Sequence, residues 1–408
     1  MKITFLLHNA YAVGTPLRAT LALAAALADR HDVELVSMLR HREVPRCAVD
    51  PRVRLVPLVD TRMGSADMAH PLFGEPAVDL PRADRRHHQY SRLVDLRAAE
   101  FLRGTDADVL IGTRPGVNAA LARFGPRRAL RIAQVPLRYD AHGAPLRAEL
   151  AGPYRALDAL VTTTEAQAAI WRSRLPLPGV RVLAMPTVVP PPDAPPPTAA
   201  AEGAGPVLAA AGRLVPAERF DLLVEAFSAV CARHPDWRLR IHGEGPERAR
   251  LRSLIDGLGL AGRAELAGPR SPDGAEFAGA ALAASAADSG ASGPALVEAM
   301  RRGVPVVGTG RPPGPTELIQ GGGGGVLVPC DDGRALSGAL LELAGDPERR
   351  RALGAAALES ARRHGPGPVA ERYGRLIAEL RATRRSRSVH RVLGRARSRA
   401  LPRRNERT

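Results

Sequence analysis

Short apolar runs alternate with helix-periodic segments from the first residues onward. KITFLL (2–7) reads as a strand, HNAYAVGTP (8–16) as a loop, LRATLALAAALADR (17–30) as a helix and DVELVSML (32–39) as the next strand. Strands that are apolar along their whole length, each followed by a helix, imply a parallel sheet covered on both faces. The series continues with strands at ADVLIGT (107–113), ALRIAQV (129–135), DALVTTT (158–164) and VRVLAMP (180–186), with helices at PGVNAALARF and EAQAAIWRSRL between them. In an open sheet of this kind ligands bind outside the carboxyl ends of the strands. The loop at 8–16 is therefore the first place to look for a site.

The alternation stops at TVVPPPDAPPPTAAAEGAG (187–205), a Pro-rich and then Ala/Gly-rich linker. It then starts again. PVLAAAGRL (206–214), WRLRIHG (237–243), RAELAG (263–268), VPVVGTG (304–310) and GGVLVP (324–329) read as strands. FDLLVEAFSAVCARH, PERARLRSLIDGLG, PALVEAMRRG and DGRALSGALLELAGD read as helices, and EFAGAALAAS (276–285) as a helix running into a short strand. The expected organisation is an α/β chain of two Rossmann-like halves: 1–186, the linker 187–205, 206–365, a C-terminal helix 366–380 and a tail 381–408.

Charge and composition remove several function classes. Lys2 is the only lysine among 58 basic residues, so neither a P-loop lysine nor an internal Schiff-base lysine is available. A bound phosphate must be met by Arg, backbone N–H groups or a helix N-terminus. The net charge is +16, but residues 381–408 hold eleven Arg against Glu406, or +10, which leaves +6 for the rest. We read that tail as disordered, solvated and basic. Its sharper reading is attraction to an anionic membrane surface. No recognition motif points to a specific nucleic acid. Cys47, Cys231 and Cys330 show no paired spacing, which fits a reducing cytoplasm. No apolar run has the length of a membrane span. The expected location is cytoplasmic, or peripheral on the inner membrane surface.

Local motifs are of unequal value. In AAAGRLVPAERFDLLVEAF (209–227) a strand ends, Gly212 turns the chain and Arg213 follows, which puts a cation at the ligand edge of the second sheet. Gly293 and Pro294 suit a helix start, with Pro at the first helical position, and Glu298 lies one turn on. Asp106–Ala107–Asp108 imitates a metal-binding DxD but precedes a strand instead of following one, and no metal is expected. Gly243–Glu244–Gly245 reads as a strand–helix turn. His87 and His88, in the helix-like RADRRHHQYSRL, read as surface residues, and Trp171 and Trp237 as packing residues.

The order and spacing of GRLVP with FDLLVEAF, HPDWRLRIHGEGPERARL, LVEAMRRGVPVV, GPTELI and GVLVP resemble glycosyltransferase family 4, the retaining GT-B enzymes, over almost the whole chain. The resemblance implies two Rossmann-like domains facing across a cleft. A nucleotide-diphosphate sugar would be co-substrate on the second and an unknown sugar, lipid or small-molecule acceptor would sit on the first, with no metal or other cofactor. It implies diphosphate contacts for Arg213, with Arg219 as a substitute cation, and ribose contacts for Glu298. It implies donor-loop roles for Gly14, Thr15, Gly212, Gly290, Ala291, Ser292, Gly293 and Pro294. In the acceptor half Asn9, Tyr11, Arg18 and Arg138 are the candidates. The chain also departs from the family pattern. Glu218 stands where lysine is expected, Gly290 where the sugar-binding glutamate is expected, Ser292 for an aromatic, Thr15 for a second glycine, and Val135–Pro136 for a histidine. Two readings stay open at this point: a metal-independent retaining glycosyltransferase, and a catalytically degenerate GT-B protein with a binding or regulatory role. Non-hydrolysing sugar-nucleotide epimerases share the two-lobed shape but fit the GRLVP and LVEAM blocks less well.

Overall fold

The apolar runs assemble into two parallel sheets. In the computed structural model, which describes residues 1–190, 205–269, 274–287, 293–310, 315–320 and 323–384, the first sheet holds β1 (Lys2–Leu7), β2 (Asp32–Arg40), β3 (Arg54–Asp60), β4 (Val109–Gly112), β5 (Leu130–Val135), β6 (Ala159–Thr162) and β7 (Arg181–Ala184). Their order is β3-β2-β1-β4-β5-β6-β7. The second holds β8 (Val207–Ala211), β9 (Arg238–His242), β10 (Ala264–Gly268), β11 (Leu282–Ser285), β12 (Val306–Thr309) and β13 (Gly325–Val328). Their order is β10-β9-β8-β11-β12-β13. Ile3 pairs with Val33 on one side and Val109 on the other. Leu208 pairs with Leu239 and Leu282 in the same way.

Both orders reverse at their first strand. β1 lies between β2 and β4, and β8 lies between β9 and β11. Such a switch point opens a crevice at the carboxyl ends of the strands, because the connections on its two sides leave in opposite directions.

The chain divides into two compact units, Met1–Pro186 together with Val369 onward, and Thr187–Pro368. The helices of the first unit are α1 (Thr15–Ala28), α2 (Arg92–Gly104), α3 (Pro115–Phe124), α4 (Ala144–Tyr154) and α5 (Glu165–Arg174). The second has α6 (Phe220–Arg233), α7 (Arg248–Gly257), α8 (Gly293–Met300), α9 (Pro315–Gln320), α10 (Gly333–Gly345) and α11 (Pro347–Ala361). α1 buries Leu17, Leu21, Ala24 and Leu27, the i, i+3, i+4 stripe that docks a helix on a sheet. Three starts carry the side-chain caps that fix helix ends: Thr164 accepts from Gln167 N (3.3 Å), Asp332 from Ala335 N (2.8 Å) and Asp346 from Arg349 N (2.8 Å). Trp171 is fully buried, edge-on to Tyr139 with ring centroids 4.9 Å apart, and Trp237 is buried beneath Arg350.

Three differences from the sequence reading have physical causes. EFAGAALAAS forms no α-helix: one 3-10 turn (Ala275–Phe277) leads into β11. The short strand expected at its end is present and paired on both sides; the helix expected before it is not formed. β3, α2 and α4 went unread. β3 carries Pro57, which an edge strand tolerates. RADRRHHQYSRL is a 3-10 turn at His87–Gln89 followed by the start of α2, not one helix.

The last helix, α12 (Pro366–Ala382), packs on the first unit through Tyr373, whose O–H accepts from Gln134 Nε2 (2.7 Å). It extends past residue 380, so the first residues assigned to the tail belong to it. Arg381 lies 3.8 Å from Asp108, and Arg384 donates to the Arg128 carbonyl (2.6 Å). The remainder of the tail, and linker residues 191–204, lie outside the described residues. Among the described residues no helix is long and apolar enough to cross a membrane.

Candidate functional site

The carboxyl edge of the second sheet is built around β8. Backbone bonds hold the loop after it on both sides. Gly212 N donates to His242 O (3.0 Å), Leu214 N to Glu244 O (2.9 Å), and Glu247 N to Leu214 O (3.0 Å). The Gly243–Glu244–Gly245 turn, between β9 and α7, is thus the partner strip that pins the Arg213 loop. Arg213 itself is exposed and makes no ion pair among the described residues. The backbone that carries Arg213 is thus fixed, and its guanidinium stands exposed beside it.

Glu218 is buried, at 7% exposure, and folds back under this turn. A Cβ added to Gly212 would stand 3.0 Å from Glu218 Oε2 and 3.1 Å from Phe220 Cζ. A side chain at 212 would therefore have to push Glu218 or Phe220 aside. Arg219 has a left-handed backbone (φ 50°) and pairs with Asp221 (3.3 Å) and with Asp331. Its charge is spent on two carboxylates of its own unit, which sets it apart from the exposed Arg213.

β11, paired to β8, leads to α8. Gly293 opens that helix and Pro294 is its second residue, one position later than the sequence reading placed it. Glu298 lies on its buried face at 3% exposure, and a Cβ at Gly274 would stand 3.3 Å from Glu298 Cβ. Gly290, Ala291 and Ser292 lie outside the described residues.

The edge of the first sheet is arranged differently. Gly14 has φ 147° and ψ 155°, a region that glycine alone adopts easily, and it is the N-cap of α1. No side chain caps this helix, no acid stands in its first turn, and only Pro16 Cδ, at 3.8 Å, neighbours the place of a Cβ at Gly14. Thr15 is the first helical residue, and Arg18, half-buried on the next turn, donates its backbone N–H to Gly14 O (3.1 Å). Asn9 is used inside the loop: it accepts from Tyr11 N (2.9 Å) and meets His41 Nδ1 (2.8 Å). Tyr11 is buried, with Arg40 over its ring. Arg138 follows β5 and is half-buried.

Sequence reasoning missed two residues here. His8, at the end of β1, meets Tyr90 O–H through Nδ1 and Gln89 Oε1 through Nε2, both at 2.8 Å. With Gln89 accepting, Nε2 carries the proton and Nδ1 accepts from the tyrosine. Burial, then the charges of Arg114 and Arg86, push His8 down to about 4, so it is neutral at pH 7. Asp84, buried at 5%, accepts from Gly116 N (2.9 Å) at the start of α3 and from Arg114 (3.0 Å). The signal for His8 was its place directly after the first strand. Asp84 gave none, because its partners lie about thirty residues away.

Among the described residues no group of three or more His, Cys, Asp or Glu is placed to hold a metal ion.

Residues 198–360 match a family model described as "Glycosyl transferases group 1". Over 420 aligned positions the chain is 34% identical to an exopolysaccharide phosphotransferase from Streptomyces coelicolor, covering 96% of this chain. It spans only 43% of that curated relative's length. Among solved structures, a mutant of TarM from S. aureus in complex with fondaparinux, α-GlcNAc-glycerol and UDP gives a TM-score of 0.72 at 13% identity, over 92% of this chain and 99% of that one. Anabaena HepE in complex with UDP-glucose gives 0.65 at 16% identity, over 94% and 100%. At these identities the likeness concerns the fold, and it places the two parallel-sheet units in the GT-B class.

Proposed function

We propose that this chain, which carries a group 1 glycosyl transferase domain over residues 198–360, transfers a glycosyl group from a nucleotide-diphosphate sugar to an acceptor hydroxyl. The observation that carries this is Arg213, exposed on a pinned loop at the switch point of the second sheet. Its guanidinium would hold the diphosphate and take up the charge that grows on it as the sugar–oxygen bond breaks. Glu298, on the helix after β11, would accept from the ribose hydroxyls. The donor preference for a uridine nucleotide follows the UDP and UDP-glucose found with TarM and HepE.

The finer reading assigns the chain to the retaining family 4. The acceptor oxygen forms its bond to the anomeric carbon on the face the diphosphate leaves, and the acceptor's proton passes to the departing diphosphate. No metal takes part in this scheme. The acceptor belongs to the first unit, whose Gly14 loop and Arg138 would position it. We place the reaction on the cytoplasmic side, with the Arg-rich tail drawing the protein to anionic lipid.

Titration calorimetry with UDP-glucose tests the site. Wild type should bind, and Arg213→Ala and Glu298→Ala should each bind at least tenfold more weakly. Equal binding by all three sinks the assignment. Turnover that survives EDTA, with a product whose anomeric configuration matches the donor by NMR, tests the rest. One observation favours a second reading, a binder without turnover: Glu218 puts a buried carboxylate under the Arg213 loop. Turnover that appears only after the double change Glu218→Lys and Gly290→Glu would establish that reading.

A further inference from the structure

We propose that an ion pair between two strained residues, Arg219 and Asp331, is a positioning device for the loop that carries Arg213. This deepens the transferase reading and rests on it for what the loop holds. Among the described residues Arg219 (φ 50°) and Asp331 (φ 61°) are the two non-glycine residues with a positive φ; every other such position is a glycine. They stand 112 positions apart and pair with each other. Arg219 is the N-cap of α6, and Asp331 comes one residue before Asp332, the N-cap of α10. The pair therefore ties the loop after β8 to the loop after β13. Its connection to Arg213 runs through the backbone. Val215 N donates to Arg213 O (2.8 Å), Glu218 N to Val215 O (3.0 Å) and Arg219 N to Pro216 O (3.1 Å), so successive turns fill the path from Arg213 to Arg219. A second connection runs through side chains. Arg219 Nε meets Asp221 Oδ1 (3.3 Å), Asp221 Oδ2 meets Arg250 (3.5 Å), and Arg250 holds Glu247 (2.6 Å). Glu247 N donates to Leu214 O (3.0 Å), so the network leaves the Arg213 loop at Arg219 and returns to it at Leu214.

Stability does not account for this arrangement. A left-handed backbone is costly for a residue with a Cβ, and glycine adopts it freely. The side chains of Arg219 and Asp331 are 27% and 46% exposed, and an ion pair that solvent reaches contributes little. The strain of two residues thus exceeds what their pairing adds. Strain kept without a gain in stability is a mark of functional sites. The guanidinium of Arg219 is directed at carboxylates of its own unit. Its action is therefore on the loop: it fixes the turns at whose start Arg213 stands exposed. For a cation that faces a diphosphate, a fixed starting position is what gives electrostatic stabilisation its effect on rate.

The test combines hydrogen–deuterium exchange of the segment 212–219 with UDP-glucose calorimetry, both on the full chain. Asp331→Asn is the sharpest variant, because asparagine tolerates a left-handed backbone and lacks the charge. Its urea midpoint should match wild type. Its segment 212–219 should exchange about three- to fivefold faster, and UDP-glucose should bind about three- to fivefold more weakly, as expected for the loss of one partly exposed ion pair. In an Arg213→Ala background the same change should weaken binding no further, because the pair acts through Arg213. Arg219→Gly relieves the backbone, so it should be at least as stable as wild type in urea and still exchange faster. Exchange unaltered in Asp331→Asn overturns the proposal, whatever the affinity. Weakening of equal size with and without the Arg213 side chain overturns it too, and so does a urea midpoint lowered in both variants, which would make the pair a stability device. Faster exchange in a protein whose wild type binds no UDP-glucose would uphold the positioning and break the donor reading. UDP-glucose binding that depends on Arg213, with exchange unaltered in Asp331→Asn, would do the reverse.

Discussion

The two sheets obey one topological rule and treat their carboxyl edges in opposite ways. In the first unit the chain fills its own edge. Asp84 occupies the N-terminus of α3, and Gln89 and Tyr90 close over His8. In the second unit backbone bonds hold the loop after β8, and Arg213 is exposed. A helix N-terminus already satisfied by an internal carboxylate offers nothing to a diphosphate. If the Arg213 loop holds a diphosphate as proposed, anion chemistry lies in the second unit and the α3 N-terminus of the first takes no part in it. α1, whose N-terminus no side chain caps, differs from α3 in this respect.

The largest effect should come from the outward cation. Arg213→Ala should lower kcat by about 10²–10³-fold, the loss of one preorganised donor at a developing anion. Nucleotide release followed by chromatography reads this directly. A fall confined to KM would mean that Arg213 only binds, and the contrast between the edges would then concern affinity and not catalysis.

Next is the inward anion. Asp84→Ala leaves Gly116 N–H and Arg114 without their carboxylate. Breaking a fully buried pair costs about 3–5 kcal/mol, and the partial exposure of Arg114 brings the expected loss to about 2–3 kcal/mol. Urea unfolding measures it. Binding of UDP-glucose should be unchanged if the donor site lies in the second unit, as proposed. If the variant instead bound inorganic phosphate at the vacated α3 N-terminus, the two edges would differ only by one side chain.

Gly14→Ala should cost about 1–2 kcal/mol through backbone conformation alone, since space for the Cβ is present. A variant as stable as wild type would show that the loop relaxes. Gly14 would then owe its place to a bound partner, not to the fold.

Much of the fold was legible because strands such as β1 and β4 are apolar runs and helices such as α1 show the i, i+3, i+4 stripe. The short strand expected at the end of EFAGAALAAS is β11, but the helix expected before it is only a 3-10 turn at Ala275–Phe277. The second unit's candidate residues Gly212 and Arg213 could be picked out because they are local to one strand end. The first unit's edge was not legible in this way. His8 and Tyr90 are 82 positions apart, and Asp84 and Gly116 are 32 apart, so no window of sequence holds either pair. Tyr11 looked like a contact residue on a loop, and its burial followed from Arg40 on another strand.

The smallest expected effect sharpens the comparison by pH. His8 and His142 are both pushed to about 4, by burial first. For His8 the charges of Arg114 and Arg86 add to that push; for His142 the nearby Asp84 opposes it. The unfolded chain takes up these protons near 6.5 and the folded chain only near 4. In that window the unfolded state holds more protons, so stability rises with pH. The contribution of each histidine is complete above pH 6.5 and is lost as the pH falls toward 4. His31 and His41, pushed down chiefly by burial, add to the same slope. The carboxylates held low by arginine or lysine, Asp50, Asp60 and Asp106, lose their contribution only below their ordinary value of 3.8, outside the window. Urea midpoints between pH 4 and 7 should therefore fall with acid in wild type. The slope should flatten by up to one proton in His8→Gln. It should flatten by up to two when His142→Gln is added, because the second imidazole titrates at its own place, edge-on to Trp171 with ring centroids 5.6 Å apart. An unaltered slope in the double variant would mean that the filled edge of the first unit admits water and protons freely. The contrast with the second unit would then be one of shape and not of polarity.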